Sequence, residues 1–290
     1  MNAYVYTNSA LKTFRLCPRK FYYAYECLIE MIDASSRSAM NKGTEIHKAI
    51  QGKLAGIAME ELDVDVIAYP EILVLFQYYE TEGTGIVEFL EGEKQLHLVL
   101  EKEGMILAGK LDGIIRTSND EINLLEIKTS RFKLAEDTDV LAKWDIDRQL
   151  GMYSLLARAN GIEHTGIIVD YMRTPSLKQK KNEEDKEFLE RINENVASNL
   201  DTYYGKIAVS RTIEQDEACL DETLQEISMI KSCMTHGIWP KTGEACNEYH
   251  KLCPYTSLCR GETDESQYTK REHQHQELDE SLFPKIAPIF

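Results

Sequence analysis

The sequence lacks any long hydrophobic run. No apolar stretch in its 290 residues approaches the roughly 20 residues that a membrane-spanning helix requires. The N-terminal segment MNAYVYTNSALKTFRLCPRK also lacks the basic-then-apolar layout of a signal peptide. With 43% hydrophobic and 28% charged residues, the chain has the composition of a soluble globular protein. We therefore predict a cytoplasmic protein that does not enter a membrane.

The chain is also short of positive charge. It has 33 lysine and arginine residues against 49 aspartate and glutamate residues, which gives a formal net charge of −16. This balance argues against broad nonspecific binding of nucleic acid, which requires a basic surface. Local basic clusters remain, and each is either a solvated face or a contact for an anionic partner. They comprise Lys12, Arg15, Arg19 and Lys20 near the N-terminus, and Lys178, Lys180 and Lys181 in a later loop.

Helical and strand patterns alternate along the chain. Residues 8–30 have helical patterning with a break at Cys17, because proline disfavours helical geometry in the residue before it but fits the first turn of a new helix. Apolar alternation predicts three consecutive strands over 92–130 and another strand over 165–172. Further helices are predicted over 41–56, 71–83, 141–160, 183–205 and 220–235. Residues 237–261 lack regular patterning, and we expect the polar tail 262–290 to be loosely ordered.

Two acidic residues and a lysine fall on these strands. Asp112 closes one strand pattern in GKLDGII, and Glu126 and Lys128 lie two apart in LLEIKTS. Side chains two apart share one face of a strand, so Ile127 between them faces a core. If the strands pair as a hairpin, Asp112 lies near Glu126.

This grouping has a clear chemical use. Carboxylates bind hard cations such as Mg²⁺, and a lysine beside them can orient water or stabilise charge on a phosphate. The pattern therefore predicts a site for phosphodiester cleavage. The structural alternative is an exposed Glu–Lys pair on the wet face of a strand.

Further polar residues are placed where they could complete such a site. Gln149 and Tyr153 lie four apart in RQLGMY, so they share one face of a predicted helix. His47, in GTEIHKAI, is a candidate metal ligand or phosphate contact. The alternatives are an ordinary helix surface with a half-buried tyrosine, and a histidine packed for structural reasons.

Four cysteines lie near the two ends of the chain. They are Cys17 in the N-terminal segment and Cys246, Cys253 and Cys259 after residue 237. Four thiolates suit either Zn²⁺ or a [4Fe–4S] cluster, and the spacing leaves the choice open because no C-x₂-C pair is present. A centre that joined both ends would close a very long loop and should stabilise the fold.

The order and spacing of these motifs resemble the RecB-type branch of the PD-(D/E)XK nucleases. The motifs are GTEIH ending at His47, GKLD ending at Asp112, EIK from Glu126 to Lys128, and QLGMY from Gln149 to Tyr153. The resemblance implies that His47, Asp112, Glu126 and the carbonyl of Ile127 bind Mg²⁺ or Mn²⁺. It also implies that Lys128 is catalytic, and that Gln149 and Tyr153 support the site or the DNA.

The cysteine segments resemble the iron–sulfur subgroup of the same nucleases. That subgroup includes the AddB nuclease domain, the CRISPR-associated RecB-like exonucleases and related phage nucleases. The segments SALKTFRLCPRKFYY and CPYTSLC carry the likeness, which spans residues 9 to 260 or so. It implies a [4Fe–4S] cluster on Cys17, Cys246, Cys253 and Cys259. Many members have C-x₂-C before the last cysteine, whereas this chain has His250 there, so either Cys246 ligates through a longer loop, which we favour, or His250 does.

The resemblance also implies a fold and a domain layout. We expect an α/β, restriction-endonuclease-like mixed sheet flanked by helices, with the N- and C-terminal segments joined by the Fe–S cluster. The nuclease domain would cover residues 1–261, with its core at about 40–175 and its clasp formed by 9–30 and 237–261. A polar tail would follow over 262–290.

The implied function is a metal-dependent DNA nuclease. We expect an exonuclease on single strands or DNA ends, acting in recombination, replication, phage genome processing or CRISPR adaptation. The sequence has no G-x₄-G-K-[ST] motif, so any unwinding would come from a helicase or another recombination or CRISPR partner. The alternatives are a non-catalytic DNA-end or protein-interaction module that keeps the fold, and a zinc-stapled binding protein.

Overall fold

In a computed structural model of the protein, helices and strands alternate along the chain. The structure describes residues 4–32, 37–79, 85–132, 141–248, 251–262 and 265–284. Its helices are α1 Asn8–Leu16, α2 Pro18–Phe21, α3 Arg37–Leu54, α4 Glu71–Tyr78, α5 Arg148–Ala159, α6 Asp185–Ala197, α7 Leu200–Tyr203, α8 Ile213–His236 and α9 Thr256–Arg260. Its strands are β1 Tyr4–Thr7, β2 Ile29–Met31, β3 Ile86–Gly92, β4 Gln95–Leu100, β5 Met105–Lys110, β6 Gly113–Thr117, β7 Ile122–Ser130, β8 Gly166–Arg173, β9 Tyr204–Ser210, β10 Asn247–Glu248, β11 Lys251–Leu252 and β12 Tyr268–Lys270. Within these ranges, no helix combines the length and the apolar character needed to cross a bilayer.

Two sheets form the framework of the molecule. The larger sheet has the order β3-β6-β7-β8-β9, in which β7 and β8 are parallel and the other neighbours are antiparallel. The smaller sheet has the order β1-β5-β4, with β1 parallel to β5. Leu111 and Asp112 connect β5 of the smaller sheet to β6 of the larger one. The mixed sheet and its flanking helices match the predicted α/β class.

Apolar side chains cover both faces of β7. Leu124 belongs to a core cluster with Leu150 of α5, whereas Ile127 belongs to a second cluster with Ile46 of α3. Because alternate residues of a strand face opposite sides, Glu126 shares the α5 side with Leu124. The sequence had predicted this alternation, including the inward position of Ile127.

The strand count differs from the prediction. The predicted three strands over 92–130 are β4, β5, β6 and β7, and β3 comes before them. Three strands over 92–130 leave the run MILAGKLDGII within one predicted strand, but Leu111 and Asp112 divide it between the two sheets. The predicted helix over 183–205 ends earlier, and residues 204–210 form β9 at the edge of the larger sheet.

The expectation of a loosely ordered tail is wrong for residues 265–284. In this segment β12 pairs with β2, and the buried His275 Nε2 lies 2.9 Å from the carbonyl oxygen of Val5. Gln95 exchanges hydrogen bonds of 2.7 and 2.9 Å with the backbone of Asp279. Polar composition did not reveal this order, because the few apolar side chains and the hydrogen bonds that hold the segment meet partners far away in the sequence.

A buried ionic network joins α5 to α8. Asp216 is 2% exposed and accepts hydrogen bonds from Arg211 Nε at 2.9 Å, Arg158 Nε at 2.9 Å and Ser154 Oγ at 2.6 Å. His164 Nε2 lies 3.0 Å from Ser154 Oγ. In a catalytic triad the acid orients the histidine, whereas here it binds the serine, which is fully buried. The network is therefore a structural one.

Candidate active site

The candidate site lies where β7 extends past the end of β6. Gly113, the first residue of β6, pairs with Leu125, so β7 from Glu126 onward lies beyond that pairing. The backbone amide of Ile127 instead donates a hydrogen bond of 2.7 Å to Asp112 Oδ2. Because the N–H and C=O groups of one strand residue point to the same side, the Ile127 carbonyl opens toward the same edge.

Asp112 is held through its main chain and its side chain. Its carbonyl oxygen accepts hydrogen bonds from the Glu93 amide at 3.3 Å and from Gln51 Nε2 at 2.9 Å. Its Oδ1 lies 3.3 Å from His47 Nδ1. His47 and Gln51 are four apart, so one face of α3 presents both to Asp112. The sequence reasoning missed Gln51, although its spacing from His47 could have identified it.

A chain of polar contacts then links β7 to α5. Lys128 Nζ forms an ion pair with Glu126 and donates a hydrogen bond of 2.7 Å to Gln149 Oε1. Gln149 Nε2 donates in turn to the hydroxyl of Tyr153 at 3.0 Å. The Tyr153 ring packs on β5 at Gly109, where an added Cβ would come within 3.0 Å of the ring. The glycine therefore makes room for the tyrosine that ends this chain.

The charged groups of the site differ in their surroundings. Glu126 is 3% exposed, and burial raises its pKa to about 7, with Lys128 opposing the rise and Asp112 adding to it. Burial acts to lower the pKa of His47, but the hydrogen bond and charge of Asp112 outweigh burial and raise it. Burial raises the pKa of Tyr153 and keeps its hydroxyl neutral. Further positive charge near Glu126 would favour its ionised form.

The donor set suits a hard divalent cation. Carboxylate and carbonyl oxygens are the ligands that Mg²⁺ prefers, and an imidazole is also compatible with Mn²⁺. As placed within the described ranges, no three His, Cys, Asp or Glu side chains converge closely enough to hold a metal ion. The carboxylates are instead met by the ammonium of Lys128 and the amide of Ile127.

The N- and C-terminal cysteine segments lie against each other. Arg19 donates from its backbone amide to the carbonyl of Pro240, and from Nε to the carbonyl of Trp239, each at 3.0 Å. Lys241 Nζ donates a hydrogen bond of 2.6 Å to the carbonyl of Cys259. The chain segments predicted to form the clasp are therefore in contact.

The four candidate cysteines, all within the described ranges, lie in these segments as free thiols, and no three of them converge closely enough to hold a metal ion as placed. Cys17 is buried between α1 and α2, and the Cys253 amide donates to the Cys246 carbonyl at 2.8 Å. Burial raises the pKa of the Cys253 thiol, and the proximity of Cys246 and Cys17 raises it further. Burial likewise raises the pKa of Cys259, with contributions from Cys253 and Cys17. His250, the alternative ligand, lies outside the described residues.

Comparisons with known proteins concern the family and the fold of the chain. A family model described as the PD-(D/E)XK nuclease superfamily matches residues 6–260. The structure of a candidate exonuclease from Eubacterium rectale aligns with a TM-score of 0.50 and 13% identity, covering 88% of this chain and 92% of that one. At this identity the likeness concerns the fold alone.

Two other solved structures align less closely. A phage-related exonuclease from Haemophilus somnus has a TM-score of 0.38 and 11% identity, over 74% of this chain and 94% of that one. The protein SSO0001 has a TM-score of 0.40 and 15% identity, over 89% and 87% of the two chains. No curated protein sequence matches the chain significantly.

Proposed function

Because the chain belongs to the PD-(D/E)XK nuclease superfamily, we propose that it is a divalent-metal-dependent deoxyribonuclease that acts as an exonuclease on single strands or DNA ends. The observation that carries this proposal is the set of contacts at the end of β7. There, His47 meets Asp112, Asp112 meets the amide of Ile127, and Glu126 meets Lys128. The DNA substrate and the exonuclease mode rest on the motif resemblance.

The family resemblance gives each of these groups a role that its contacts allow. Asp112, Glu126, the Ile127 carbonyl and His47 would hold Mg²⁺ or Mn²⁺, which when bound would activate water and neutralise charge on the phosphate. His47 can bind a metal ion only as a neutral imidazole. Asp112 raises the pKa of His47 and so favours its protonated form, which must lose a proton before the metal binds.

Lys128 is positioned to act on the reacting phosphate or water. An ammonium has three N–H donors, and Glu126 and Gln149 occupy two of them. The remaining donor can orient a water molecule or stabilise a phosphate oxygen as its charge grows. Tyr153 restrains Gln149, which in turn restrains the lysine, so Tyr153 and Gln149 are positioning residues.

The purified protein should cleave linear, end-labelled single-stranded DNA in the presence of Mg²⁺ or Mn²⁺, and EDTA should stop this cleavage. An exonuclease would shorten the linear DNA progressively from one end, as seen on a denaturing gel, and would leave circular single-stranded DNA intact. Cleavage of circles would contradict that mode alone. A folded protein that cut neither single- nor double-stranded DNA with either metal would contradict the nuclease proposal itself.

We also propose that Cys17, Cys246, Cys253 and Cys259 hold a [4Fe–4S] cluster. The support is the contact between the two cysteine segments, together with the proximity of Cys17 to Cys253 and Cys259, which adds to the effect of burial on the pKa values of those two thiols. Thiolates are the ligands that iron–sulfur clusters require, although four thiolates also suit Zn²⁺. A centre at this position would couple α1 and α2 to the C-terminal segment and stabilise the fold.

Replacement of Cys17 by alanine should remove the visible absorption of anaerobically purified protein and lower its melting temperature. Cys27→Ala, a change in the same N-terminal segment, should do neither. Iron and zinc analysis decides the metal, since stoichiometric zinc without iron would overturn the cluster. If Cys246→Ala keeps its colour, Cys246 is not a ligand.

A further inference from the structure

A polar cavity of about 500 Å³ opens beside the candidate active site. The end of β7, the middle of α3 and the loop after β8 surround it. Hydroxyl groups of Thr129, Ser130 and Ser176 line this cavity, together with the cationic side chains of Arg131 and Lys178. A cavity of this size falls within the range of ordinary ligand sites.

The charge of this cavity is opposite to that of the chain as a whole. The protein has 49 acidic residues and a net charge of −16, yet no acidic residue is among the described residues that line the cavity. A third cation on its wall, Lys42, is paired with Glu71. Arg131 and Lys178 are both exposed, so their charges are accessible to a ligand. The lining favours an anion that also accepts hydrogen bonds from hydroxyl groups.

The cavity is continuous with the catalytic strand. Thr129 and Ser130 directly follow Lys128, and a strand rises about 3.3 Å per residue, so the cavity begins within about 7 Å of the lysine along β7. On α3, Gly43 lies one turn before His47, and a Cβ there would be 3.5 Å from Thr129 Oγ1. The cavity therefore begins close enough to Lys128 for one DNA strand to contact both.

The wall of the cavity is held by backbone hydrogen bonds. The Thr174 amide donates to the Ser130 carbonyl at 2.7 Å, and Arg173 Nε donates to the Arg131 carbonyl at 3.2 Å. These bonds tie the loop after β8 to the end of β7. The loop therefore begins at a defined place beside β7, and Lys178 follows four residues after Thr174.

We propose that this cavity binds the sugar–phosphate backbone of the DNA strand next to the phosphodiester that is cleaved. The proposal rests on the proposed nuclease function and assigns it a substrate-binding surface. Lysine, arginine, serine and threonine side chains are the groups that contact phosphates, and such contacts carry no sequence information. Binding through this cavity is therefore independent of base sequence.

The test compares two double variants that lose the same charge. Arg131→Ala with Lys178→Ala removes the exposed cations of the cavity. Lys102→Ala with Lys186→Ala removes two exposed lysines that do not line it. Affinity for a fluorescein-labelled oligodeoxythymidylate is measured by anisotropy over a salt series, in Ca²⁺ without Mg²⁺ or Mn²⁺. The unfolding midpoint of each variant is measured in parallel, and all these side chains are exposed, so stability should be almost unchanged.

The cavity variant should bind about tenfold more weakly at low salt. The slope of the logarithm of its binding constant against the logarithm of the salt concentration should fall in magnitude by about 1.4, because each of two lost phosphate contacts on a single strand contributes about 0.7. The control variant should bind like the wild type. This inference would be wrong if the wild type binds and cleaves DNA and the cavity variant binds with the same affinity and the same salt dependence as the wild type. The nuclease function would then remain supported. A wild type that neither binds nor cleaves would overturn both.

Discussion

Replacement of Lys128 by alanine should slow DNA cleavage by about 10²–10³-fold, which is the usual loss when one preorganised donor to a reacting oxyanion is removed. The ammonium is held by Glu126 and Gln149, so its remaining donor is directed rather than free to turn. Glu126→Gln should lose at least as much activity, because it removes a proposed metal-binding carboxylate without changing the side-chain volume.

The fold should tolerate both substitutions. Burial already raises the pKa of Glu126 to about 7, so without Lys128 the carboxyl group can take up a proton near neutral pH instead of remaining as an unpaired buried charge. The amide of Glu126→Gln is neutral from the start. Circular dichroism and the urea unfolding midpoint should therefore stay close to those of the wild type.

Measurements of metal binding distinguish the proposed metal ligand, Glu126, from the proposed catalytic group, Lys128. Mn²⁺ titration by calorimetry should show weaker binding for Glu126→Gln, which lacks a carboxylate, than for Lys128→Ala, whose Glu126 carboxyl group can still lose its proton when the metal binds. Lys48→Ala is the matched control, since Lys48 follows His47 on α3 and its side chain is 42% exposed. Its cleavage rate should be unchanged. Wild-type cleavage by a folded Lys128→Ala protein would refute the role of the lysine.

The contacts of the candidate site follow periodicities that the sequence displays. Glu126 and Lys128 share a strand face because they are two apart, and Gln149 and Tyr153 share a helix face because they are four apart. Asp112 reaches this site through the antiparallel pairing of consecutive strands, β6 and β7. Such short-range geometry is visible in a linear sequence, which is why these residues could be chosen before the structure was known.

Long-range packing is not visible in the same way. The pattern around Asp112 does not show that the chain changes sheets there, and the polar tail does not show that His275 binds the carbonyl of Val5, 270 residues earlier. The network around Asp216 has the same character. Asp216 is bound by Ser154 and Arg158, which are four apart on α5, and by Arg211 just before α8. The spacing shows that Ser154 and Arg158 share a helix face, but it does not show that this face meets Asp216.

Replacement of Asp216 by alanine should lower the free energy of unfolding by about 3–5 kcal/mol, the usual effect of removing one partner from a buried ion pair. The loss arises because Arg211, whose side chain is 5% exposed, and Arg158 would keep their charges without a carboxylate, and Ser154 Oγ would lose its acceptor. Asp216→Asn should fall between the wild type and the alanine variant, because its amide oxygen still accepts hydrogen bonds but carries no charge.

Urea unfolding monitored by circular dichroism measures this loss, with an unchanged m-value showing that the midpoint shift reports stability. Asp221→Ala, an exposed aspartate on the same helix, is the control and should change stability by no more than about 0.5 kcal/mol. A loss of less than about 1 kcal/mol for Asp216→Ala would mean that the two arginines find other partners or water, since an unpaired buried charge costs more than that. The α5–α8 contact would then depend on its apolar side chains, with Leu150 and Ile227 in one core cluster.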